Sequence, residues 1–209
     1  MKFLISLAVS AATCTGIAQG TFEAIPSYAD TVVGSFNATA GWSFQAATNM
    51  TLVQLGCMAS FFPGNTTVSL IEVGLWDQNG VLLASNTITA GSTPLSQALY
   101  APVTPASIAA GQTYYLGVYS PGGKFSLDVV PPGGSITLSP DILSLASAVG
   151  TGGFGSPTGG TPAPISGAAF LGPNFQYQHA QGGVPEPCSW LLLGLGGLLM
   201  VVRWRHQRL

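Results

Sequence analysis

Turn-forming residues divide the central part of the chain into short apolar segments. Between positions 41 and 130, Gly, Pro and Asn separate stretches rich in β-branched, aromatic and Leu residues, and no stretch there has a helical period. The segments read as strands are 52–58, 68–76, 81–89, 113–119 and 125–130. Short strands at this spacing favour a sandwich or a barrel. The sequence therefore predicts an all-β fold, an antiparallel, jelly-roll-like β-sandwich, with at most two helical turns at 142–149.

The clearest local element is a hairpin at Asn79-Gly80. Both residue types tolerate the positive φ of a type I′ turn. With these two residues as the loop, Leu75 is expected opposite Ala84 and Trp76 opposite Leu83. The predicted inner face is largely apolar, as in a sheet with one side on a core.

Charge is scarce and unevenly distributed. Charged residues are 6% of the chain, against about a quarter in an ordinary soluble domain. Between positions 21 and 183, Lys124 is the single basic residue against six Asp and Glu. Nucleic-acid binding needs a basic surface, so this class is excluded for the body.

The N-terminus has the order of parts of an export signal. Met1-Lys2 is a short positive region, residues 3–12 are apolar, and small residues follow. Cleavage is expected after Ala18 or Gly20, because both fit the small-x-small rule. Cys14 leaves a lipoprotein as an alternative, although the three residues before it are a poor lipobox.

The C-terminus combines an uncharged apolar run with a basic tail. Residues 190–202 contain no charge, and with their flanks they reach about 17 residues, near the lower limit for a membrane-spanning helix. A basic stop tail follows, formed by Arg203, Arg205 and Arg208. Positive charge stays on the cytoplasmic side, so the sequence predicts a single transmembrane helix with the body outside.

Just before this run lies Val184-Pro185-Glu186-Pro187. A Pro-Glu-Pro motif, a Leu- and Gly-rich helix and a terminal Arg cluster, in that order, resemble the PEP-CTERM sorting signal. The same kind of segment is catalogued as an ice-binding-protein C-terminal domain. The resemblance implies a Gram-negative bacterium and recognition by an exosortase, a membrane transpeptidase. Cleavage near the motif then transfers the protein to the cell surface or the extracellular polysaccharide matrix. The alternative is a permanent membrane anchor.

The body carries a second resemblance, over residues 42–120. It resembles a β-sandwich domain of unknown function, the 4082 type, found in PEP-CTERM and carbohydrate-associated bacterial proteins. The matching residues are Gly74-Leu75-Trp76-Asp77, Asn79-Gly80-Val81-Leu82-Leu83-Ala84, Pro102-Val103 and Ile108-Ala109-Ala110-Gly111-Gln112-Thr113-Tyr114-Tyr115-Leu116. No catalytic residues are implied by it.

These observations divide the chain into four parts. Residues 1–20 are the signal peptide, 21–149 the sandwich, 150–183 a Gly- and Pro-rich segment with linker, and 184–209 the sorting signal. Phe170, Phe175 and Tyr177 could return one strand to the sandwich. Of the three Cys, only Cys57 lies between the two targeting segments, so no disulfide is expected within the body.

Several short motifs match a known pattern but lack the flanking sequence that their chemistry needs. Residues 150–155 spell G-x-G-x-x-G, but Pro157 and two glycines follow where a phosphate-binding helix must begin. Asp77-x-Asn79-Gly80 begins like a calcium loop but has Ile88 in place of Glu at loop position twelve, so Asp77 is interpreted as a hairpin flank, with a looser surface calcium site at Asp77 as the alternative. We therefore expect no cofactor and no metal ion.

The titratable residues argue against catalysis. His179 and His206 are assigned to the linker and the tail, which leaves the body without His for a triad or a zinc site. A paired-carboxylate glycosidase would have to use two of Glu72, Asp77, Asp128 and Asp141. Most aromatic residues are assigned to the core, and one of Phe61 and Phe62 is expected to be exposed.

The sequence thus indicates an exported, non-enzymatic protein with a structural or adhesive role. Its expected partners are signal peptidase, an exosortase and the membrane, with exopolysaccharide as a candidate ligand. Alternatives are a carbohydrate-binding or glycan-hydrolysing protein and a permanently anchored binding domain.

Overall fold

The protein is described here from a computed structural model. It describes residues 20–28, 32–36, 38–62, 70–121, 125–130, 136–150, 152–159, 163–164, 169–170 and 172–180. One compact unit comprises Gln19–Ala180. The predicted signal peptide and sorting signal lie outside the described residues, apart from Gly20.

The described elements are strands and two three-residue 3-10 helices. The strands are β1 (Phe22–Glu23), β2 (Ser27–Tyr28), β3 (Val32–Phe36), β4 (Ala40–Ala46), β5 (Met50–Met58), β6 (Leu70–Asp77), β7 (Leu82–Thr89), β8 (Thr93–Leu95), β9 (Ala98–Ile108), β10 (Thr113–Tyr119), β11 (Phe125–Val130), β12 (Ile136–Thr137), β13 (Ile142–Val149), β14 (Ala163–Pro164), β15 (Ala169–Phe170) and β16 (Pro173–His179). The 3-10 helices are Ala59–Phe61 and Pro157–Gly159.

Two large sheets organise these strands. One has the order β1-β16-β5-β9-β8 and the other β14-β13-β4-β10-β6-β7. Smaller sheets, β15-β11-β3 and β12-β2, complete the described set. All pairings are antiparallel. The prediction of an all-β, antiparallel fold is therefore confirmed.

The core lies where the inner faces of the two large sheets meet. Trp42 and Phe44 on β4 are buried, and so is Phe175 on β16. The Phe44 and Phe175 ring centroids are 5.1 Å apart, and those of Trp42 and Phe175 are 6.0 Å apart. The Trp42 Nε1–H donates to the Pro173 carbonyl oxygen at 2.8 Å. Alternate residues of a strand face the same side, which is why Trp42 and Phe44 both point inward.

The strand predictions are confirmed at the level of elements. Residues 113–119 and 125–130 coincide with β10 and β11. β5, β6 and β7 overlap the other three predicted segments. The helical turns predicted at 142–149 are wrong, because this segment is β13, which pairs with β4. Its apolar and small residues suit a strand inside a sheet as well as a helix turn.

The hairpin register is confirmed except at its tip. Leu75 pairs with Ala84 as predicted, but Trp76 pairs with Leu82, which makes Leu83 an extra bulge residue. The type I′ turn is also wrong, since Gly80 has a φ of 79° and Asn79 has no positive φ. The Gly80 N–H donates to the Asp77 carbonyl at 3.0 Å. This is a turn from Asp77 to Gly80, with its left-handed residue in the last position.

Asp77 explains why this wider turn forms. Its Oδ1 accepts the Asn79 N–H at 2.9 Å and the Val81 N–H at 2.8 Å. A carboxylate that bonds the backbone two residues on is the usual Asx-turn. The Asp77 side chain therefore stabilises the loop, which was predicted from Asn79 and Gly80 alone.

We expect Gly80→Ala to destabilise the protein by about 1 kcal/mol, because a Cβ disfavours positive φ. A Cβ at Gly80 would meet Ser156 at 3.6 Å, so space is not the obstacle. Gly155→Ala is the control, since no atom lies within 4 Å of its Cβ position and no positive φ is recorded there. Urea unfolding of both variants measures the difference. Equal stability of the two would contradict the conformational argument.

β16, the strand that the sequence indicated could return to the sandwich, is an interior strand of its sheet. β16 lies between β1 and β5, and it contains the Phe175 and Tyr177 of the sequence prediction. Both side chains are fully buried. Phe170 lies in β15 of the small sheet. The segment after residue 150 therefore contributes a central part of the core.

Candidate functional site

Most of the predicted processing residues lie outside the described residues. These are Ala18, Val184, Pro185, Glu186, Pro187, Arg203, Arg205 and Arg208. Gly20, the other predicted cleavage position, is described and exposed. The predicted transmembrane run at 190–202 also lies outside. Within the ranges that the structure describes, no helix has the length and hydropathy to cross a membrane.

The densest polar group is the Asp141 cluster, formed by Thr48, Ser139, Asp141, Tyr177 and His179. Asp141 precedes β13, and its Oδ2 accepts the Tyr177 hydroxyl at 2.5 Å. The same oxygen lies 2.8 Å from the His179 Nε2. Its Oδ1 accepts the Thr48 hydroxyl at 3.1 Å. Asp141 therefore links the segments before β5, before β13 and at the end of β16.

Ser139 extends the cluster inward. Its Oγ lies 2.5 Å from the Tyr177 hydroxyl oxygen, in a buried position. Because the single Tyr177 hydroxyl proton points at ionised Asp141, the Ser139 hydroxyl donates to Tyr177. The Asp141 N–H in turn donates to the Ser139 Oγ at 3.3 Å. The cluster is thus a closed hydrogen-bond network, which fixes the loop before β13.

Burial and the hydrogen bonds of the cluster shift the pKa values of Asp141 and Tyr177. Burial raises the pKa of Asp141, but the hydrogen bonds from Tyr177, His179 and Thr48 lower it more, and the net pKa lies below the ordinary value. Burial and the neighbouring Asp141 carboxylate both raise the pKa of Tyr177. Asp141 is therefore the ionised acceptor and Tyr177 a neutral donor at physiological pH.

The assignment of His179 to a linker is wrong. It is the last residue of β16, and Asp141 holds it in the folded unit. The prediction that the body lacks His fails with it. A sequence signal was available, since Phe175, Tyr177 and His179 alternate along one strand, with the aromatic side chains on one face.

The His179 contact does not form a Ser-His-Asp triad. In a triad the imidazole stands between the nucleophile and the carboxylate, and its Nε2 takes the serine proton. Here the carboxylate stands between the imidazole and the tyrosine, and Nε2 faces Asp141. Ser139 bonds to Tyr177 rather than to His179. This arrangement suits positioning of β16 better than proton transfer to a nucleophile.

Phe22 covers the outer side of the cluster. Its ring centroid is 4.9 Å from that of His179 and 5.7 Å from that of Tyr177, and both pairs are stacked. β1 pairs with β16 through Phe22 and Tyr177, which places the rings together. Phe22 itself is exposed, whereas Tyr177 beneath it is fully buried. The stack therefore covers Tyr177, whereas the His179 side chain at the edge of the cluster stays 48% exposed.

The four carboxylates considered for a glycosidase are spread over three segments of the chain. Glu72 lies within β6, Asp77 at its end, Asp128 in β11 and Asp141 before β13. The backbone N–H of Val81 lowers the pKa of Asp77, whose carboxylate is engaged by the turn. Across the ranges given above, no three His, Cys, Asp or Glu side chains gather as metal ligands.

A second carboxylate contact was not predicted. Glu23 on β1 accepts the Tyr100 hydroxyl at Oε1 and the Ser96 hydroxyl at Oε2, both at 2.7 Å. Burial, followed by the bond to Glu23, raises the pKa of Tyr100. Glu23 therefore ties β1 to β9 across the sheet.

Four of the aromatic residues that the sequence assigned to the core are buried. Trp42, Phe44, Trp76 and Tyr114 belong to this set. Phe62 packs against the core, and the Phe61 side chain lies outside the described part. On β10, Tyr115 and Tyr119 are only half-buried, so core packing accounts for most of these aromatic residues but not for all of them.

The glycine-rich segment packs on the outside of the six-stranded sheet. Thr39 donates its hydroxyl to the Gly153 carbonyl at 2.7 Å and accepts the Gly155 N–H at 3.0 Å. The Phe154 ring lies 5.3 Å from that of Trp76. The residues that match G-x-G-x-x-G therefore pack against the sheet. Pro157–Gly159, the 3-10 helix that follows, is too short for a phosphate site.

Cys57 is a core residue of β5. It is fully buried and makes no disulfide. Burial raises the pKa of its thiol well above the ordinary value. A thiol that is protonated and inaccessible is chemically inert.

Comparison with models of known protein families finds no match for the chain. Comparison with curated proteins also finds no match.

Proposed function

We propose that the chain is an exported, non-enzymatic surface protein with a structural or adhesive role. In this proposal its PEP-CTERM-type signal delivers it through an exosortase to the cell surface or extracellular matrix of a Gram-negative bacterium. A signal peptide at 1–20 starts export, and the helix at 190–202 holds a membrane intermediate. The body is a jelly-roll-like sandwich of the 4082 type.

The observation that carries the proposal is the order of parts after the folded unit. Val184-Pro185-Glu186-Pro187, the uncharged run and the Arg tail follow one another within residues 184–208. Three unlike elements in sequence are a more specific signal than any one alone. Charge segregation supports the same topology, since the basic residues other than Lys124 lie near the two termini.

The folded unit is compatible with cleavage at the motif. β16 ends at His179, and the Ala180 N–H donates to the Asn49 carbonyl at 3.1 Å. Val184 follows only four residues later in the sequence. Cleavage near residues 185–187 would therefore leave every described strand on the released product.

The Asp141 cluster supports the non-enzymatic part of the proposal. Its His179 contacts the Asp141 carboxylate, a stacked Phe22 ring and a tilted Tyr177 ring. Its Tyr177 is fully buried. These are features of a structural network, which explains the only His–carboxylate pair of the described residues without invoking chemistry.

The sorting step is tested with Glu186→Gln, which removes the charge of the motif and keeps its shape. In a host with an exosortase, we expect the unsubstituted protein to lose residues 203–209 and Glu186→Gln to retain them in the membrane fraction. Because Glu186 is the only charge at the motif, a cleavage block of at least about tenfold is expected. Mass spectrometry of the C-terminal peptide measures it.

Glu72→Gln is the matched control, since it removes a carboxylate of the body and should leave processing unchanged. Retention of residues 203–209 in surface-exposed, unsubstituted protein would instead establish the permanent-anchor alternative. Equal processing of Glu186→Gln and the unsubstituted chain would show that the motif carries no recognition.

A further inference from the structure

The edge strands of the two large sheets differ in how they are protected. An edge strand has unpaired backbone N–H and C=O groups that can pair with another chain. Short edge strands, Pro and charged side chains prevent this pairing. β1 and β14 have two residues each and β8 has three, and both β8 and β14 contain a Pro. β7 is also an edge strand, but it has eight residues with neither Pro nor charge. Of the large-sheet edges that the structure describes, β7 is the one that combines full strand length with the absence of Pro and charge.

The first half of β7 is the open part of this edge. The Thr87 N–H donates to the Asn86 Oδ1 and the Thr89 N–H to the Ser92 Oγ, so side chains occupy these two outward donors. Antiparallel ladders use the backbone groups of alternate residues, so the Ser85 N–H faces the same outer side. No described strand pairs with that side of β7.

A groove adjoins this open half. It has a volume of about 260 Å³ and is lined by Leu82, Leu83, Ala84, Ser85, Val103 and Thr104. β9 bulges here, because Leu52 pairs with Ala106 while Gln54 pairs with Pro102. The Asn86 Nδ2 donates to the Pro102 carbonyl at 2.6 Å and joins the two sheets beside the groove. The groove therefore lies between an open backbone edge and the second sheet.

The groove lining combines apolar residues with the polar Ser85 and Thr104, and three apolar residues at its edge are exposed. Val81, Leu82 and Leu83 are consecutive, and Leu82 and Leu83 are 45% and 36% exposed. Consecutive exposed aliphatic residues beside a bare strand edge are a docking surface rather than scattered surface residues. An extended strand would satisfy the backbone groups while its side chains enter the groove.

We infer that β7 pairs antiparallel with β7 of a second copy of this chain, about a two-fold axis near Ala84. Such an interface is isologous, so each copy must offer both an edge with protruding apolar side chains and a groove to receive them. The segment 81–85 does both. The two six-stranded sheets then form one continuous sheet.

Charge favours a second copy over a foreign peptide. The body is acidic, with Lys124 against six Asp and Glu between positions 21 and 183. Two identical acidic bodies can approach only where the contact surface is uncharged. Neither β7 nor the groove lining contains a charged side chain. The same surface offers no ionic partner to a basic or acidic peptide.

The test measures the mass of the full chain in detergent by sedimentation, over concentrations up to about 100 µM. We expect a dimer, and we expect Leu83→Lys to raise its dissociation constant at least about 30-fold, because the two-fold axis brings two lysines together. Leu95→Lys is the matched control, since Leu95 is 46% exposed on the Pro-protected edge β8. It should leave the dimer intact.

Amide exchange provides a second measurement that does not depend on a variant. In the unsubstituted chain, exchange of the peptide covering 81–85 should slow as concentration rises, and Leu83→Lys should abolish this effect. A monomer over the whole range, a dimer that Leu83→Lys leaves unchanged, or an equal loss in both variants would overturn the inference.

Discussion

Trp42→Ala is expected to lower the free energy of unfolding by about 3–5 kcal/mol, the range for large aromatic side chains removed from a core. Trp42 is 1% exposed and lies on β4, a central strand of the six-stranded sheet. Its ring packs against Phe44 at 5.3 Å and Phe175 at 6.0 Å. The substitution therefore opens a cavity at the contact between the two sheets. Urea unfolding followed by circular dichroism measures the loss.

Trp42→Phe separates the two roles of this residue. It keeps an aromatic ring but removes the Nε1–H that bonds the Pro173 carbonyl. We expect it to cost less than the alanine variant, because only part of the volume and one hydrogen bond are lost. Leu95→Ala, at an exposed position, should change stability by no more than about 0.5 kcal/mol. Equal losses for Trp42→Ala and Leu95→Ala would show that the sheets do not pack through Trp42.

Asp141→Ala is expected to cost about 2–4 kcal/mol, because it removes the acceptor of a buried network. Tyr177 would lose its carboxylate partner while remaining in the core, and Thr48 and His179 would lose theirs. Glu72→Ala, which removes a half-buried carboxylate of β6, should stay within about 0.5 kcal/mol. Thermal and urea unfolding of the two variants compare them. A loss no larger than that of Glu72→Ala would mean that the network adds no stability.

The Asp141 effect should depend on pH in one direction. The folded pKa of Asp141 lies below its ordinary value, so its ionised form is favoured by folding. The contribution is complete above the unfolded pKa of about 3.9 and is lost as the pH falls through the folded value. The stability difference between the unsubstituted chain and Asp141→Ala should therefore narrow in acid. A difference that grows below about pH 4 would contradict this sign.

The sequence predicted elements whose cause is local. β10 follows from a run of β-branched and aromatic residues closed by turn residues, and its bounds were predicted. The β6–β7 register follows from the apolar pairs facing each other across the hairpin. The tip was mispredicted because the prediction considered only Asn79 and Gly80, whereas the nearby Asp77 carboxylate bonds two backbone N–H groups of the same loop.

The remainder depends on pairing between distant segments. β13 and β16 pair with β4 and β5, which lie about 100 residues or more before them. The local sequence pattern predicted helical turns for β13 and only a possible strand for β16. A local pattern contains no information on which distant strand a segment pairs with. The Asp141 cluster was missed for the same reason. Its residues come from three separate segments that only these pairings bring together.

The central position of β16 also determines when the protein can finish folding. This strand is the last of those described, yet it lies between β1 and β5, and β1 is the first. Until residues 173–179 have been synthesised, one edge of β5 stays bare and β1 has no neighbour in its sheet. Closure of the five-stranded sheet therefore has to wait for the last described strand, through pairings that span more than 100 residues of sequence. A chain shortened before residue 173 would therefore lack the strand that joins β1 to β5 in the five-stranded sheet.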